Sequence, residues 1–150
     1  MEYRCALSSA KEFSVVGKLE EWVHAYLLSD GCNKELSDGL KLCDRYYIGP
    51  VKMPLKLFKR YCGPEEEMKY QVKAEYFESR VAKLMEAIRK EKDMPPMIIH
   101  YVDGDFELSD GNHRYEAYSR LGINECDVIV WITEKSEYDE FLEKYSVYAQ

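Results

Sequence analysis

The chain has 150 residues, enough for one domain whose core needs neither a metal nor disulfides. Its 21 basic and 28 acidic residues give a net charge of −7, so we expect no specific DNA binding, because a general nucleic-acid surface needs clustered cations to displace counterions. Five cysteines without a paired spacing indicate reduced thiols, and no apolar run has the length of a signal peptide or a membrane span, which predicts a cytoplasmic protein without a membrane partner.

The first 42 residues carry helical patterns. Apolar residues follow helical spacing from Leu19 to Leu27, and Ser29-Asp30-Gly31 is expected to stop that helix. Asn33 is a candidate cap for a short further helix that ends near Asp38-Gly39. Since this region is too short to enclose a core of its own, we interpret residues 1–42 as a helical N-terminal extension rather than a separate domain.

The middle of the chain alternates between strand and helix signals. Residues 46–51 predict a strand interrupted at Gly49-Pro50, and Gly63-Pro64 marks a loop. The acidic run Glu65–Glu67 is expected to form the first turn of a helix, where the helix dipole favours negative charge. A clear apolar stripe predicts a helix from about Ala74 to Lys90.

The last third begins with a hairpin. Residues 97–101 form an apolar strand, Asp103-Gly104 is typical of a tight hairpin turn, and residues 106–108 form the returning strand. A helix from about His113 to Leu121 is expected to stop at Gly122.

A further strand over residues 128–131 precedes a last helix capped near Thr133 or Ser136. Alternating strands and helices, with one hairpin among them, predict a compact α/β (α+β) domain with a mixed sheet. We assign residues 43–150 to this domain, with the last helix as its C-terminal element.

The segment Asp110–Arg114 is the most informative stretch, because it joins a strand to a helix. Helix N-termini favour anions, and an arginine adds a forked donor suited to phosphate. Ser-Asp-Gly begins at Ser29, Ser37 and Ser109, so that tripeptide alone carries no functional information. Only the third copy leads from a strand into Asn112-His113-Arg114. The junction therefore predicts an anion-binding pocket.

Each of these residues also has a purely structural interpretation. Asn112 fits a plain helix N-cap, and a lone histidine such as His113 is often a packed one. Arg114 could simply pair with Glu116 or Glu107. Taken together, the position of all three at a strand end favours the pocket, since ligand sites in such sheets face helix N-termini.

Arg60 is a further tentative phosphate-binding residue, because the Lys59-Arg60 pair before the Gly-Pro turn could form a second cationic wall; a solvated turn is the alternative. The three histidines show no paired spacing with cysteine, so no protein-bound metal such as zinc is expected. A Mg²⁺ ion carried by a nucleotide phosphate and held by Asp110 or a glutamate is compatible with the sequence.

The segment from Leu108 to Gly122 resembles the signature segment of the ParB/sulfiredoxin superfamily, and the resemblance covers about residues 45–132. In ParB partition proteins the matching segment contacts a nucleoside triphosphate, and Gly111 and Arg114 fit that pattern. Asn112 replaces the ParB glutamate, and no helix-turn-helix follows, so chromosome partitioning is not expected.

Sulfiredoxin and the free serine kinases share parts of the same segment. Gly111, His113 and Arg114 match sulfiredoxin, but its catalytic cysteine position is Asn112 here, which argues against that activity. The kinases bind ADP and transfer a phosphoryl group to serine; by this resemblance the acidic loop Glu65–Glu67 would supply a base.

The resulting hypothesis is a domain that binds a nucleotide or another phosphorylated small ligand at residues 110–114. The phosphate would be contacted by Gly111, Asn112, His113 and Arg114. Any phosphoryl transfer or nucleotide hydrolysis would use His113 and Asp110 as the catalytic groups. The cofactors to consider are ATP, ADP or CTP, with Mg²⁺. The alternative is a non-catalytic regulatory or adaptor protein. In that case Trp22, Tyr26 and Tyr47 would present a partner surface.

Overall fold

The computed structural model describes residues 1–148. Three helices come first, a mixed set of strands and helices follows, and a helix ends the fold. The helices are α1 (Leu7–Val15), α2 (Leu19–Leu27), α3 (Lys34–Leu40), α4 (Ala74–Arg89), α5 (Asn112–Arg120) and α6 (Lys135–Tyr145). The strands are β1 (Tyr46–Pro54), β2 (Phe58–Lys59), β3 (Cys62–Gly63), β4 (Tyr70–Gln71), β5 (Met97–Val102), β6 (Asp105–Asp110) and β7 (Glu125–Ile132).

The main sheet has five strands in the order β1-β7-β5-β6-β2. The central pair β5–β7 is parallel and so is β6–β2, whereas β1–β7 and β5–β6 are antiparallel. The short strands β3 and β4 form a separate parallel pair. The predicted mixed α/β fold is therefore confirmed.

Local turn signals were accurate in the strands. The β5–β6 hairpin turns at Asp103 and Gly104, which both have positive φ, 52° and 77°. Strand β1 is irregular at Gly49-Pro50, as predicted, because its register with β7 shifts between Ile48 and Val51. It nevertheless resumes pairing and runs on to Pro54.

The two faces of the sheet bury separate cores. On one face, α6 packs through Phe141 against apolar residues of the central strands. On the other face, the N-terminal helices pack against Ile98, Ile129 and Trp131. A third, smaller core joins α4 to α5 through Phe77, Val81 and Ala117. The N-terminal helices thus cover one face of the sheet. The domain boundary between residues 42 and 43 stays our interpretation. Residues 149 and 150 of the domain assigned to 43–150 lie outside the described part.

Two of the three aromatic residues proposed as an adaptor surface are buried. Trp22 is 0% exposed and Tyr26 is 4% exposed, and the two rings stack at 5.3 Å within the N-terminal core. Tyr47 is half-buried and packs against the same core. The prediction that Trp22 and Tyr26 face a partner is wrong, because both side chains pack into the core on the sheet. For Tyr47 it stays a prediction.

One predicted helix start and one predicted helix cap are also wrong. Glu65–Glu67 lie in a turn, and α4 begins only at Ala74. Glu65 accepts a hydrogen bond from Arg60 at 2.6 Å instead of facing a helix N-terminus. The last helix has Glu134 at its N-cap position and no side-chain cap, so neither Thr133 nor Ser136 plays that part.

The Asn33 cap is confirmed, since its side chain accepts a hydrogen bond from the Leu36 N–H at 3.3 Å. Helix α3 runs one residue past Gly39, to Leu40. Gly122 follows α5 with φ 72°, as a terminating glycine should. Among residues 1–148 no helix combines the length and the apolar character that crossing a membrane requires.

Candidate functional site

The strand-to-helix junction is a tight left-handed turn. Strand β6 ends at Asp110, Gly111 takes φ 110° and ψ 22°, and α5 begins at Asn112. A Cβ atom at Gly111 would lie 2.7 Å from the Met97 Cγ and 2.9 Å from the Arg114 Nη2. Glycine is therefore required both by the backbone angle and by the close packing.

The first turn of α5 offers free backbone donors. Its first intrahelical bond runs from the Tyr115 N–H to the Gly111 carbonyl at 2.8 Å. The N–H groups of Asn112, His113 and Arg114 therefore precede the helical ladder and have no acceptor within it. Together with the aligned peptide dipoles, these groups favour an anion in front of the turn.

A cleft of about 740 Å³ opens at this turn. One wall is residues 30–36, which lead from α2 into the start of α3; another is the loop over residues 61–70 with α4, and the sheet supplies the floor. We call Gly111–Arg114 the anion end of the cleft. We call four of the lining residues from the three central strands the cleft floor: His100, Glu107, Ser109 and Trp131.

Arg114 is held inside the protein rather than extended into solvent. Only 7% of the residue is exposed. Its Nη1 donates to the Tyr26 hydroxyl at 2.7 Å and its Nη2 lies 3.3 Å from the Asp110 Oδ2, while Nε has no partner among the described residues. Burial alone would lower the pKa of Arg114, but the Tyr26 and Asp110 oxygens outweigh it and raise that pKa. The predicted phosphate fork is thus already occupied.

The partner of Arg114 was also misjudged. Neither Glu116 nor Glu107 pairs with it; the ion pair is with Asp110. The same Asp110 Oδ2 accepts the Tyr26 hydroxyl at 2.9 Å. The carboxylate predicted as a catalytic group therefore belongs to a buried Tyr26–Asp110–Arg114 cluster, and its role as a base stays a prediction.

Asn112 does not cap the helix. The N-cap position is Gly111, and Asn112 is the first helical residue. Its Oδ1 accepts hydrogen bonds from the N–H groups of Tyr61 at 2.7 Å and Cys62 at 3.0 Å. The side chain thus fastens the loop wall of the cleft to the junction, and its backbone N–H has no acceptor in the helix.

His113 is half-buried between the aromatic rings of α4. Its ring lies 5.1 Å from Phe77 and stands edge-on to Tyr76 at 6.0 Å. The Nε2 atom is buried and has no hydrogen-bond partner in the described part of the chain. Burial, and then the nearby cation of Arg80, lower the pKa of His113 to about 4. The imidazole is therefore neutral at pH 7.

Arg60 is not among the residues that line the cleft. Its Nη2 pairs with Glu65 at 2.6 Å, its Nε lies 3.8 Å from Glu116, and its guanidinium covers the Phe77 ring at 4.7 Å. The side chain fixes the loop to α4 and α5 and does not form the second cationic wall that the sequence predicted.

Arg80 and Lys69 are the cations that the sequence analysis missed. Both line the cleft, and the Arg80 guanidinium lies 5.8 Å from the centre of the Tyr76 ring. Tyr76, Arg80 and Leu84 all line the cleft and are four residues apart on α4. That spacing, next to the apolar stripe, was the available signal, because residues four apart share one helix face.

The cleft floor contains a second feature that periodicity does not show. His100 stacks on Trp131 with ring centres 3.6 Å apart, and Trp131 Nε1 donates to the Ser109 hydroxyl at 3.0 Å. Burial, and then the charge of Arg45, lower the pKa of His100 to about 4. Within residues 1–148 no group of three or more His, Cys, Asp or Glu side chains is arranged to hold a metal ion.

Comparison with known proteins adds the family. No curated protein matches the chain. Sulfiredoxin from Arabidopsis thaliana is similar in structure, with 24% identity and a TM-score of 0.41 over 61% of this chain and 94% of that one. A Pnob8-like ParB-N domain gives 16% identity and a TM-score of 0.42, and covers 71% of this chain.

ParB from Caulobacter crescentus, solved with CTP-gamma-S, gives 14% identity and a TM-score of 0.37 over 69% of this chain. The chain spans 40% of the Pnob8-like ParB structure and 54% of the Caulobacter one. The family model described as the ParB N-terminal domain matches residues 66–141, which contain α4, α5 and the three central strands. The chain belongs to the ParB N-terminal domain family.

Proposed function

We propose that the cleft binds a nucleotide or another phosphorylated small ligand, with a phosphate at the anion end. The observation that carries this proposal is the first turn of α5: Asn112, His113 and Arg114, whose N–H groups have no acceptor in the helix, line a cleft of about 740 Å³. A cleft of this volume lies within the usual range for small-ligand sites. The helix dipole and the free N–H groups together favour phosphate there.

Arg80 supplies the mobile positive charge that Arg114 does not. It is exposed, lines the cleft and lies close enough to His113 to lower the pKa of that residue. Arg114 contributes indirectly, because its buried pairing compensates the Asp110 carboxylate that would otherwise repel a phosphate. Arg114 therefore stabilises the turn, and Arg80 contacts the ligand.

Phosphoryl transfer or nucleotide hydrolysis is the natural reaction class for such a site, since positioning and charge neutralisation do most of that chemistry. A neutral His113 can donate a hydrogen bond to a phosphate oxygen, or accept one from the O–H of a protonated phosphate. Asp110 keeps Oδ1 free of described partners, so it can orient a Mg²⁺-bound water. The protein offers no three-ligand metal cluster in its described part, so Mg²⁺ would arrive with the nucleotide.

The test is a binding titration with inorganic phosphate, ATP, ADP and CTP, with and without Mg²⁺, followed by calorimetry and by the amide resonances of residues 112–114. We expect saturable binding that shifts those three amides. Arg80→Gln should weaken it roughly threefold to tenfold, given a charged contact in a partly exposed cleft. Arg89→Gln, which changes another exposed arginine of α4 outside the cleft lining, should not.

Release of phosphate or of a new phosphoester in the same samples would identify an enzyme, and saturable binding without turnover would identify a sensor. Absence of saturable binding to all four compounds would refute the proposal. So would binding that leaves the amides of residues 112–114 unshifted, because the ligand would then occupy another place.

A further inference from the structure

The cleft floor carries negative charge, in contrast to the anion end. Strand register aligns Glu107 of β6 with His100 of β5, and His100 with Trp131 of β7, so these side chains form one row across the three central strands. Glu107, His100 and Trp131 all line the cleft. Since side chains two apart on a strand share a face, Ser109 belongs to the same surface as Glu107.

Glu107 has no ion-pair partner. It is half-buried, and within residues 1–148 it accepts no side-chain hydrogen bond and forms no ion pair. Strand register aligns the exposed Lys59 of β2 with it, but the two form no ion pair. Of the two cations that line the cleft, Arg80 is near His113 at the anion end, and the Lys69 ammonium lies over the Tyr70 ring at 5.4 Å. Two more carboxylates line the cleft, Asp30 after α2 and Glu35 in α3.

Polar groups beside Glu107 are also unused. The His100 Nε2 is buried without a hydrogen-bond partner in the described chain, although the ring is held in place by its stack on Trp131. The Ser109 hydroxyl accepts from Trp131 and can donate its own proton. A buried polar atom without a partner is uncommon in a folded protein, and here it borders an open cleft.

We infer that the cleft takes a ligand with two charged ends, a phosphate at Gly111–Arg114 and a protonated amine at Glu107. This inference rests on the proposed function. At about 3.3 Å per residue, the four steps from Glu107 to Gly111 span at most about 13 Å, and less because the register shifts between Leu108 and Asp110, so we take about 10 Å between the two bound groups. The ligand class is therefore a phosphorylated amine of that length, whose ammonium pairs with Glu107 and is flanked by His100 and Ser109.

The experiment compares 6-aminohexyl phosphate with 6-hydroxyhexyl phosphate at pH 7.5, where a primary amine is protonated. The two probes have the same length and phosphate but differ in the terminal charge. A charged hydrogen bond in a half-buried site predicts that the wild-type protein binds the amine about tenfold more tightly. Glu107→Gln should reduce this preference to within about twofold and leave hydroxyhexyl phosphate binding intact.

Glu125→Gln is the matched control, because Glu125 is an exposed glutamate of β7 outside the cleft lining, and it should keep the wild-type preference. Equal binding of the two probes by the wild-type protein, or a preference that survives Glu107→Gln, would overturn the inference and leave phosphate binding standing. Failure of both probes and of inorganic phosphate to bind would remove the proposed function together with the inference.

Discussion

Arg114→Ala should destabilise the fold strongly, although the residue lies in a segment that looks like a ligand-binding motif. The substitution removes a guanidinium that is 8% exposed and leaves the Asp110 carboxylate, 13% exposed, without its ion-pair partner. The Tyr26 hydroxyl loses its donor at the same time. The dominant cost is a carboxylate without its ion-pair partner in a side chain that is largely shielded from water.

Removing one partner of a buried ion pair typically costs about 3–5 kcal/mol. In a chain of this length that corresponds to a fall in Tm on the order of 10 °C. Tyr26→Phe removes a neutral hydroxyl that bonds two charged groups and should cost about 1.5–3 kcal/mol. In the double variant Asp110→Asn/Arg114→Ala, no carboxylate is left without its ion-pair partner. The double variant should therefore lose about 2 kcal/mol less stability than the sum of the losses in Asp110→Asn and Arg114→Ala.

Urea denaturation followed by circular dichroism measures these differences. An unchanged m-value, the dependence of the free energy of unfolding on urea concentration, shows that the variants unfold to the same unfolded state. Arg120→Ala is the matched control. Arg120 lies in the same helix and pairs with Glu78 and Glu116, but its side chain is 36% exposed, so its loss should cost about 1 kcal/mol or less. A loss below about 1 kcal/mol for Arg114→Ala would show that the buried cluster does not carry the junction.

Three further outcomes are expected. Asn112→Ala removes the acceptor for the Tyr61 and Cys62 N–H groups, so hydrogen exchange of those two amides should accelerate and stability should fall by about 1–2 kcal/mol. Burial lowers the pKa values of His100 and His113 to about 4. Because the unfolded chain therefore binds more protons below about pH 6.5, stability that is present above that pH should fall by about 1 kcal/mol per histidine towards pH 5, after allowance for solvent screening. In either histidine-to-glutamine variant, the free energy of unfolding measured by urea titration should change less steeply with pH. A gel-shift titration at physiological salt should show no sequence-selective DNA binding, given the net charge of −7.

Local signals were enough for most of the fold. The apolar stripe of α4, the Asp103-Gly104 turn and the Asn33 cap each depend on neighbours within one or two helical turns, and the structure has all three. The acidic run Glu65–Glu67 gave a wrong helix prediction, because its hydrogen-bond partners come from a turn and not from a helix N-terminus. Glu65 is taken by the Arg60 guanidinium, and the Gln71 amide donates to the carbonyls of Glu65 and Glu66, so the chain stays in a turn.

The junction itself was found from the sequence, whereas the roles of its side chains were not. Residue types and a strand-to-helix position placed Gly111 at the turn correctly. The function of Asn112 depends on a loop that lies 50 residues away, and that of Arg80 depends on how α4 packs against α5. Such partners are set by tertiary packing, for which a single sequence has no local periodic signal.

Arg114 has one partner that is close in the sequence and one that is distant, and both limit its access to a ligand. Its i−4 neighbour Asp110 is visible in the sequence, but the third member of the cluster, Tyr26, comes from α2 and approaches only because that helix packs on the sheet. A chain with the same Asp-Gly-Asn-His-Arg segment and no tyrosine in this place would leave the arginine one acceptor short and freer to meet an anion. The charge presented at the α5 turn is therefore set jointly by the motif and by the N-terminal helix that packs on it, and the motif alone does not determine which cation is free of a protein partner.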